Sequence, residues 1–162
     1  MSTSESGSKR VDLYGASYRN FAHDLYGEIR REAFGDDIGQ TSWLTAEEQD
    51  LFMSWLGLTK SSRLLDVACG SGKPTLRIAQ KTGCHVSGVD LHEEGIASAK
   101  ANAREIGYEG RAHFYHANAA ERLTFDDASF DAVTCIDAIN HLPDRPRVLV
   151  DWHRMLKPGG SI

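Results

Sequence analysis

The stretch from Leu64 to Ala79, LLDVACGSGKPTLRIA, constrains the fold of this chain more than any other. A short apolar run is broken by Gly70 and Gly72, and Pro74 then opens a segment with apolar residues at helical spacing. This order predicts a strand, a tight turn and a helix. Glycine at these positions lets the backbone adopt positive φ and lie against a ligand. Asp66 falls near the carboxyl end of the strand, where open parallel sheets bind their ligands.

Apolar runs alternate with helical segments along most of the remaining chain. The predicted strands are Arg63 to Val67, His85 to Asp90, Ala112 to His116 and Ala132 to Asp137, and the predicted helices between and after them are Thr75 to Lys81, Glu93 to Ile106 and Arg145 to Leu156. Such alternation indicates a parallel sheet with right-handed crossovers and helices on both faces.

Two helical units are predicted ahead of this sheet. Apolar residues recur at helical spacing from Asp12 to Phe34, and Thr45 with Glu48 has capping-box spacing for a helix that runs through Leu56. We therefore divide the chain into a disordered tail (1–11), a helical lid (12–57) and a sheet domain (58–162).

Composition excludes several classes of function. The 162-residue chain has a net charge of −5 with scattered basic residues, which disfavours nucleic-acid binding. It has no run of about 18 apolar residues to span a membrane, and its amino terminus lacks a signal-peptide core, so a cytoplasmic protein is expected. Cys69, Cys84 and Cys135 are in no metal-ligand spacing, and neither are the histidines. We expect reduced thiols and no metal.

The run Asp66-x-Ala68-x-Gly70-x-Gly72 resembles the glycine-rich loop of class I S-adenosylmethionine-dependent methyltransferases. Ala68 stands where that family most often has its first glycine, which should lower cofactor affinity only modestly if φ there is negative. The resemblance implies a Rossmann-like sheet ordered 3-2-1-4-5-7-6, with S-adenosyl-L-methionine as cofactor and Asp66 near its methionine moiety. The alternative is that this glycine-rich loop is only a tight strand-to-helix turn and binds no ligand.

The end of the chain, MLKPGG at 155–160, resembles the family signature between the fourth helix and the fifth strand. Ser161 and Ile162 would begin that strand. We therefore expect an incomplete domain, ordered 3-2-1-4, with the fifth to seventh strands missing. The fourth strand, apolar on both faces, would then have an unpaired edge, which predicts marginal stability or self-association.

Two further positions suit a nucleoside. Asp90 closes the second strand twenty positions after Gly70, and a carboxylate there can accept hydrogen bonds from both ribose hydroxyls. The resemblance places Leu91 against the adenine, Asn118 on the adenine amino group and the Ala119 N–H on a ring nitrogen. The alternatives are that Asp90 and Asn118 cap helices.

The run from Phe130 to Asp144 resembles the fourth-strand motif of the family, in which backbone groups at Asp137 and Ala138 would hold the methionine ammonium. His141 is the candidate general base and substrate contact, since an imidazole can take up a proton near neutral pH. Its alternative role is structural.

Aromatic residues precede the sheet domain, in a run that resembles methyltransferases acting on small amines such as glycine derivatives. Tyr18 and Trp43 are either substrate-binding lid residues, suited to a cation through cation–π attraction, or core packing. For Tyr14 and Tyr26 we favour packing.

The sequence therefore predicts a methyltransferase acting on a small-molecule acceptor, possibly an amine. One alternative is a truncated module that binds the cofactor without transferring methyl groups. Another is a nicotinamide-dependent oxidoreductase, disfavoured by Thr75, which stands where its Gly-x-Gly-x-x-Gly loop needs glycine, and by the LKPGG ending.

Overall fold

A computed structural model describes residues 24–162. The expected disordered tail and the aromatic residues Tyr14 and Tyr18 lie outside the described residues. In chain order the elements are α1 (Asp24–Phe34), α2 (Ala46–Leu56), β1 (Arg63–Val67), α3 (Lys73–Thr82), β2 (His85–Asp90), α4 (Glu93–Glu105), β3 (Ala112–His116), β4 (Phe130–Thr134), a 3₁₀ turn (Ile139–His141), α5 (Arg145–Met155) and β5 (Leu156–Ser161).

The strands form one parallel sheet in the order β3-β2-β1-β4-β5, which confirms the Rossmann-like class. Central strand β1 pairs on both sides, with Leu65 opposite Ser87 of β2 and opposite Val133 of β4. The chain builds β1, β2 and β3 toward one edge and then returns to place β4 on the other side of β1. At such a reversal the ends of neighbouring strands open a crevice that can hold a ligand.

Helices cover both faces of the sheet, as the strand composition requires. On one face, α3 and α4 pack onto Leu64 and Val86, and on the other face α5 packs its buried Trp152 onto Leu65 and Val89. Strand β1 is buried on both faces because successive side chains enter opposite halves of the core.

The segment between α1 and α2 docks at the carboxyl edge of the sheet. Thr45 and Glu48 form the predicted capping box at the start of α2, and this helix ends at Gly57. Just before it, Ile38 and Leu44 are buried in a small apolar cluster against Ile136, which follows β4. These contacts bring residues 38–44 over the ends of β1 and β4.

The fifth strand, which we expected to be missing, is present and pairs with β4 in parallel, so the predictions of an order ending at the fourth strand and of an unpaired β4 edge are wrong. The segment LKPGGS reaches β4 directly after α5, and an irregularity accommodates it between the pairs Phe130–Leu156 and Ala132–Ser161. Gly159 adopts positive φ at that irregularity.

Strand β4 also ends earlier than predicted, at Thr134 rather than Asp137. Asp137 itself cannot belong to a regular strand, because its backbone is left-handed (φ 53°). Within residues 24–162 no helix is long and apolar enough to cross a bilayer.

Candidate cofactor site

The loop after β1 is fixed to the end of β2 by two hydrogen bonds. The Cys69 N–H donates to the Val89 carbonyl (3.1 Å), and the Gly70 N–H donates to Asp90 Oδ2 (2.9 Å). Each bond joins two residues that are 20 positions apart in the sequence, with helix α3 between them. The loop and the acidic residue of β2 are thus positioned as one unit at the carboxyl edge of the sheet.

We expected the Ala68 methyl group to lower cofactor affinity only modestly if φ at this residue were negative, and this condition is not met. The φ of Ala68 is +60°, a left-handed conformation that costs a residue with a Cβ about 1–2 kcal/mol. Strain of this kind persists where surrounding contacts enforce it and is concentrated at functional sites. The family's usual glycine would fit this position without strain.

Gly70 and Gly72 both have positive φ, but they serve different neighbours. A Cβ on Gly72 would lie 2.7 Å from the Ala99 Cβ and 2.9 Å from the ring of Phe114. The requirement for glycine at 72 therefore comes from the packing of the loop against α4 and β3. Gly70 instead contributes its N–H to Asp90.

Asp66 is a buried carboxylate at the end of β1, with 7% of its surface exposed. The Thr75 hydroxyl of α3 donates to Oδ2, and the Thr134 hydroxyl of β4 donates to Oδ1 at 2.9 Å. Burial raises the pKa of the Asp66 carboxyl from 3.8 to about 6, and the negative charge of Asp90 contributes to the rise, while the two hydroxyls oppose it. A cation placed near Asp66 would favour its ionised form.

A large cavity of about 360 Å³ opens beside this loop, within the size range of small-molecule sites. It is lined by residues that follow β1, β2, β3 and β4 and by part of the amino-terminal segment: Thr41, Ser42, Ala68, Asp90, Leu91, His92, Ala117, Asn118, Ala119, Ala120, Ile136, Asp137, Ala138, His141, Leu142 and Pro143. Among residues 24–162, the lining includes two carboxylates, Asp90 and Asp137, and neither lysine nor arginine. That charge balance suits a cationic ligand better than a pyrophosphate.

A smaller cavity of about 40 Å³ adjoins the large one and reaches Asp66. The two cavities share Thr41, Ser42, Ala68 and Ile136 in their linings. The smaller one is also lined by Ser71, which is 3% exposed and whose Oγ has no hydrogen-bond partner within the described chain. An unpaired buried hydroxyl is costly, so this oxygen is a donor and acceptor suited to a polar ligand.

Asp90 lies 5% exposed at the end of β2 and lines the large cavity. Besides the bond from Gly70, its Oδ1 accepts the His92 N–H at 2.8 Å and lies 3.1 Å from His92 Nδ1. The Asp90 carboxylate therefore stabilises the turn that leads into α4, as the alternative role near a helix start required, and it also lines the cavity. Leu91 beside it is 58% exposed.

Asn118 and Ala119 occupy the turn after β3, on the same cavity. Asn118 Oδ1 accepts the Ala120 N–H at 3.0 Å, and its amide nitrogen donates to Glu121 at 3.1 Å. The side chain thus stabilises a local turn, although Asn118 also lines the cavity.

The tip of β4 contributes Asp137, Ala138 and His141 to the cavity lining. Trp43 lies beside this tip without lining the cavity. Its backbone N–H donates to Asp137 Oδ2 at 2.9 Å, and its indole ring meets the Phe34 ring edge to face. With 82% of its surface exposed, Trp43 is not core packing. Tyr26 is also exposed, against the packing role that we favoured.

Most of the predicted site residues converge on one place. Those that line the large cavity are Ala68, Asp90, Leu91, Asn118, Ala119, Asp137, Ala138 and His141. Asp66 lines only the smaller cavity, whereas Gly70 and Gly72 support the loop from behind. Tyr18 lies outside the described residues.

Sequence reasoning missed the residues that complete the walls. Thr41 and Ser42 line both cavities, but the sequence analysis gave neither of them a role in the site. The hydroxyls of Thr75 and Thr134 donate hydrogen bonds to the Asp66 carboxylate. The sequence feature that could have indicated this is a hydroxyl residue near the start of α3 and another at the end of β4. Ser71 lies between the two glycines of the predicted turn, but it was given no role.

Comparisons with known proteins agree with this geometry. Residues 64–160 match the family model described as a methyltransferase domain. The 27-O-demethylrifamycin SV methyltransferase of Amycolatopsis mediterranei is 34% identical over 152 residues, covering 91% of this chain and 56% of that enzyme. A sterol 24-C-methyltransferase of Gibberella zeae is 31% identical over 162 residues, covering 94% of this chain and 42% of that protein.

A solved structure shows the same fold. The S-adenosylmethionine-dependent methyltransferase from Thiobacillus denitrificans, crystallised with S-adenosyl-L-homocysteine, has a TM-score of 0.66 at 23% identity, covering 90% of this chain and 52% of that one. The fold and the site define a Rossmann-like methyltransferase domain. This chain belongs to the S-adenosylmethionine-dependent methyltransferase family, and it spans about half the length of the curated relatives it matches.

Proposed function

We propose that this chain carries the S-adenosylmethionine site of a methyltransferase that acts on a small-molecule acceptor. The observation that supports this most strongly is the large cavity at the carboxyl ends of β1, β2, β3 and β4. Of the part of the chain that the structure describes, Asp90 and Asp137 line this cavity and no lysine or arginine does. The same balance of charge disfavours the pyrophosphate of a nicotinamide cofactor.

The adenosine end of the site is formed by the turns after β2 and β3. Asp90 accepts hydrogen bonds from the ribose hydroxyls, for which a buried carboxylate already held by the Gly70 N–H is well oriented. Leu91 provides exposed apolar surface for the adenine ring. Asn118 and the Ala119 backbone meet the polar edge of the base.

The methionine end lies toward the smaller cavity. Asp66 and the unpaired Ser71 hydroxyl line the smaller cavity, and Asp137 and Ala138 line the adjoining part of the large cavity on the β4 side. When bound, S-adenosylmethionine supplies the methyl group to be transferred. The protein's contribution is to bind, align the acceptor and exclude water.

His141 and Trp43 stand on the acceptor side. His141 lines the cavity from the 3₁₀ turn after β4, where its imidazole can take a proton from an acceptor hydroxyl or amine. Trp43 offers an exposed ring beside the same tip, and Tyr18 stays a predicted contact. Replacing His141 by Gln tests this role, because methyl transfer should fall while affinity for S-adenosylhomocysteine holds.

The class of acceptor is a proposal in its own right. The two relatives are named for a rifamycin oxygen and a sterol carbon, so they support a small organic acceptor without selecting its reacting atom. The amine indicated by the amino-terminal run stays a prediction.

Calorimetric titration of the full chain with S-adenosylhomocysteine and, separately, with NAD tests the proposed cofactor. We expect binding of the first only. Substituting Asp90→Ala should weaken that binding by about 1–3 kcal/mol, since a charged hydrogen-bond partner is removed. Asp126→Ala, at an exposed aspartate away from the cavity, is the matched control. NAD binding, or an unchanged affinity in Asp90→Ala, would contradict the assignment. Labelled methyl transfer then separates an enzyme from a module that binds without turnover.

A further inference from the structure

Asp137 is held in an unfavourable backbone conformation at the mouth of the site. Its φ is +53°, in the left-handed region, where a residue with a Cβ is strained and where aspartate is tolerated better than most. In this conformation its carboxylate accepts the Trp43 N–H at 2.9 Å, across 94 positions of sequence. The strain is therefore accompanied by a specific long-range contact.

The residue before it contacts the same amino-terminal segment by different means. Ile136 packs against Ile38 and Leu44, which are both buried. Two consecutive residues at the tip of β4 thus hold residues 38–44, one through apolar contact and one through a hydrogen bond.

Residues 39–44, here called the wall segment, close one side of both cavities. Gly39, Thr41, Ser42 and Leu44 line the smaller cavity that contains Asp66. Thr41 and Ser42 also line the large cavity. If the wall segment moved away from β4, the methionine end of the site would open to solvent.

We propose that Asp137 is a positioning residue whose side chain holds the wall segment closed and so retains the bound cofactor. This role rests on the proposed function and goes beyond it, because it assigns the carboxylate of Asp137 to the Trp43 amide rather than to the ligand. It also gives a reason for the left-handed backbone, which presents that carboxylate to the segment.

Three substitutions separate the hydrogen bond from the strain. Asp137→Ala removes the acceptor and keeps a strained Cβ, whereas Asp137→Gly removes the acceptor and relieves the strain. Asp137→Asn keeps an oxygen acceptor and tolerates the left-handed region. Loss of one hydrogen bond to a charged group should raise the dissociation rate about tenfold in the Ala and Gly variants and much less in Asn.

Asp144 provides a matched control. It also has a left-handed backbone (φ 47°) and an exposed carboxylate that accepts a backbone N–H, from Arg147 at 3.4 Å, but it caps α5 instead of holding the wall segment. Asp144→Gly should leave dissociation unchanged.

The measurements are displacement of labelled S-adenosylhomocysteine by excess unlabelled ligand and hydrogen exchange of the Trp43 amide in the ligand-free chain. We expect faster dissociation together with faster exchange in Asp137→Ala and Asp137→Gly, and recovery of both in Asp137→Asn. Faster exchange with unchanged dissociation would overturn the retention role. Unchanged exchange would overturn the contact itself.

If the wild-type chain binds no S-adenosylhomocysteine, the proposed function fails and the retention role with it, whereas the exchange data still report on the contact. Should the Ala variant not fold, the strain-relieved Gly variant carries the same test.

Discussion

Substituting Asp66→Asn should make the chain more stable at neutral and alkaline pH. In the folded protein the pKa of this buried carboxyl is about 6, mainly through desolvation, against 3.8 in its usual environment. Because the folded pKa is the higher one, this group favours folding fully only below pH 3.8, and that contribution is lost as pH rises through about 6. An asparagine cannot ionise, and its amide can still bond both threonine hydroxyls.

The magnitude follows from the two pKa values. Their difference corresponds to about 3 kcal/mol, at about 1.4 kcal/mol for each pH unit that separates them. About half of this loss of stability should fall between pH 5 and pH 8. The other half falls below pH 5, because the Asp66 carboxyl of the unfolded chain is already largely ionised at that pH. The variant should therefore gain about 1.5 kcal/mol on the wild type over that range.

Urea unfolding followed by circular dichroism at pH 5, 6, 7 and 8 measures this difference. Asp50→Asn is the control, since side-chain hydrogen bonds, the Arg77 bond foremost, lower the pKa of Asp50 to about 2. Its contribution is present above pH 3.8 and is lost only as pH falls through about 2, so the Asp50→Asn difference should be constant from pH 5 to 8. A stability difference between Asp66→Asn and wild type that does not change over the same range would refute the reasoning.

Two further predictions concern the glycine-rich loop. Ala68→Gly should raise the free energy of unfolding by about 0.5–1 kcal/mol, because relief of the left-handed strain exceeds the added freedom of the unfolded chain; a destabilised variant in urea melts would argue against the strain. Gly72→Ala should cost about 2–4 kcal/mol, since its Cβ would overlap Ala99 as well as strain the backbone, whereas Gly107→Ala, with equal φ sign and open space, should cost only about 1 kcal/mol. Equal losses in the two alanine variants would show that the overlap is absorbed.

Local patterns were sufficient to predict the framework of the site. The strand, turn and helix around Gly70, the capping box at Thr45 and the meeting of Asp90 with the loop all follow from residue order, because the ends of parallel strands necessarily lie at one edge. The family resemblance added Asn118 and Ala138 to the same cavity.

Features set by distant contacts could not be predicted in this way. The sign of φ at Ala68 depends on how the loop is held against β2, and nothing within the loop sequence specifies it. Thr41 and Ser42 reach the cavity only because Ile38 and Leu44 pack onto the tip of β4, far along the chain. The pairing of β5 with β4 depends on a backbone irregularity that no periodicity reveals.

The position of β4 beside β1 has a kinetic consequence. Asp66 pairs with Thr134 across 68 positions of sequence, and β2 and β3 lie between them in the chain but on the other side of β1 in the sheet. Contacts this distant along the polypeptide slow the search for the native state, because the long intervening chain must be ordered to form them. We therefore expect the crevice between these strands to form late in folding, and a ligand that binds there should lengthen the lifetime of the native protein without speeding its formation.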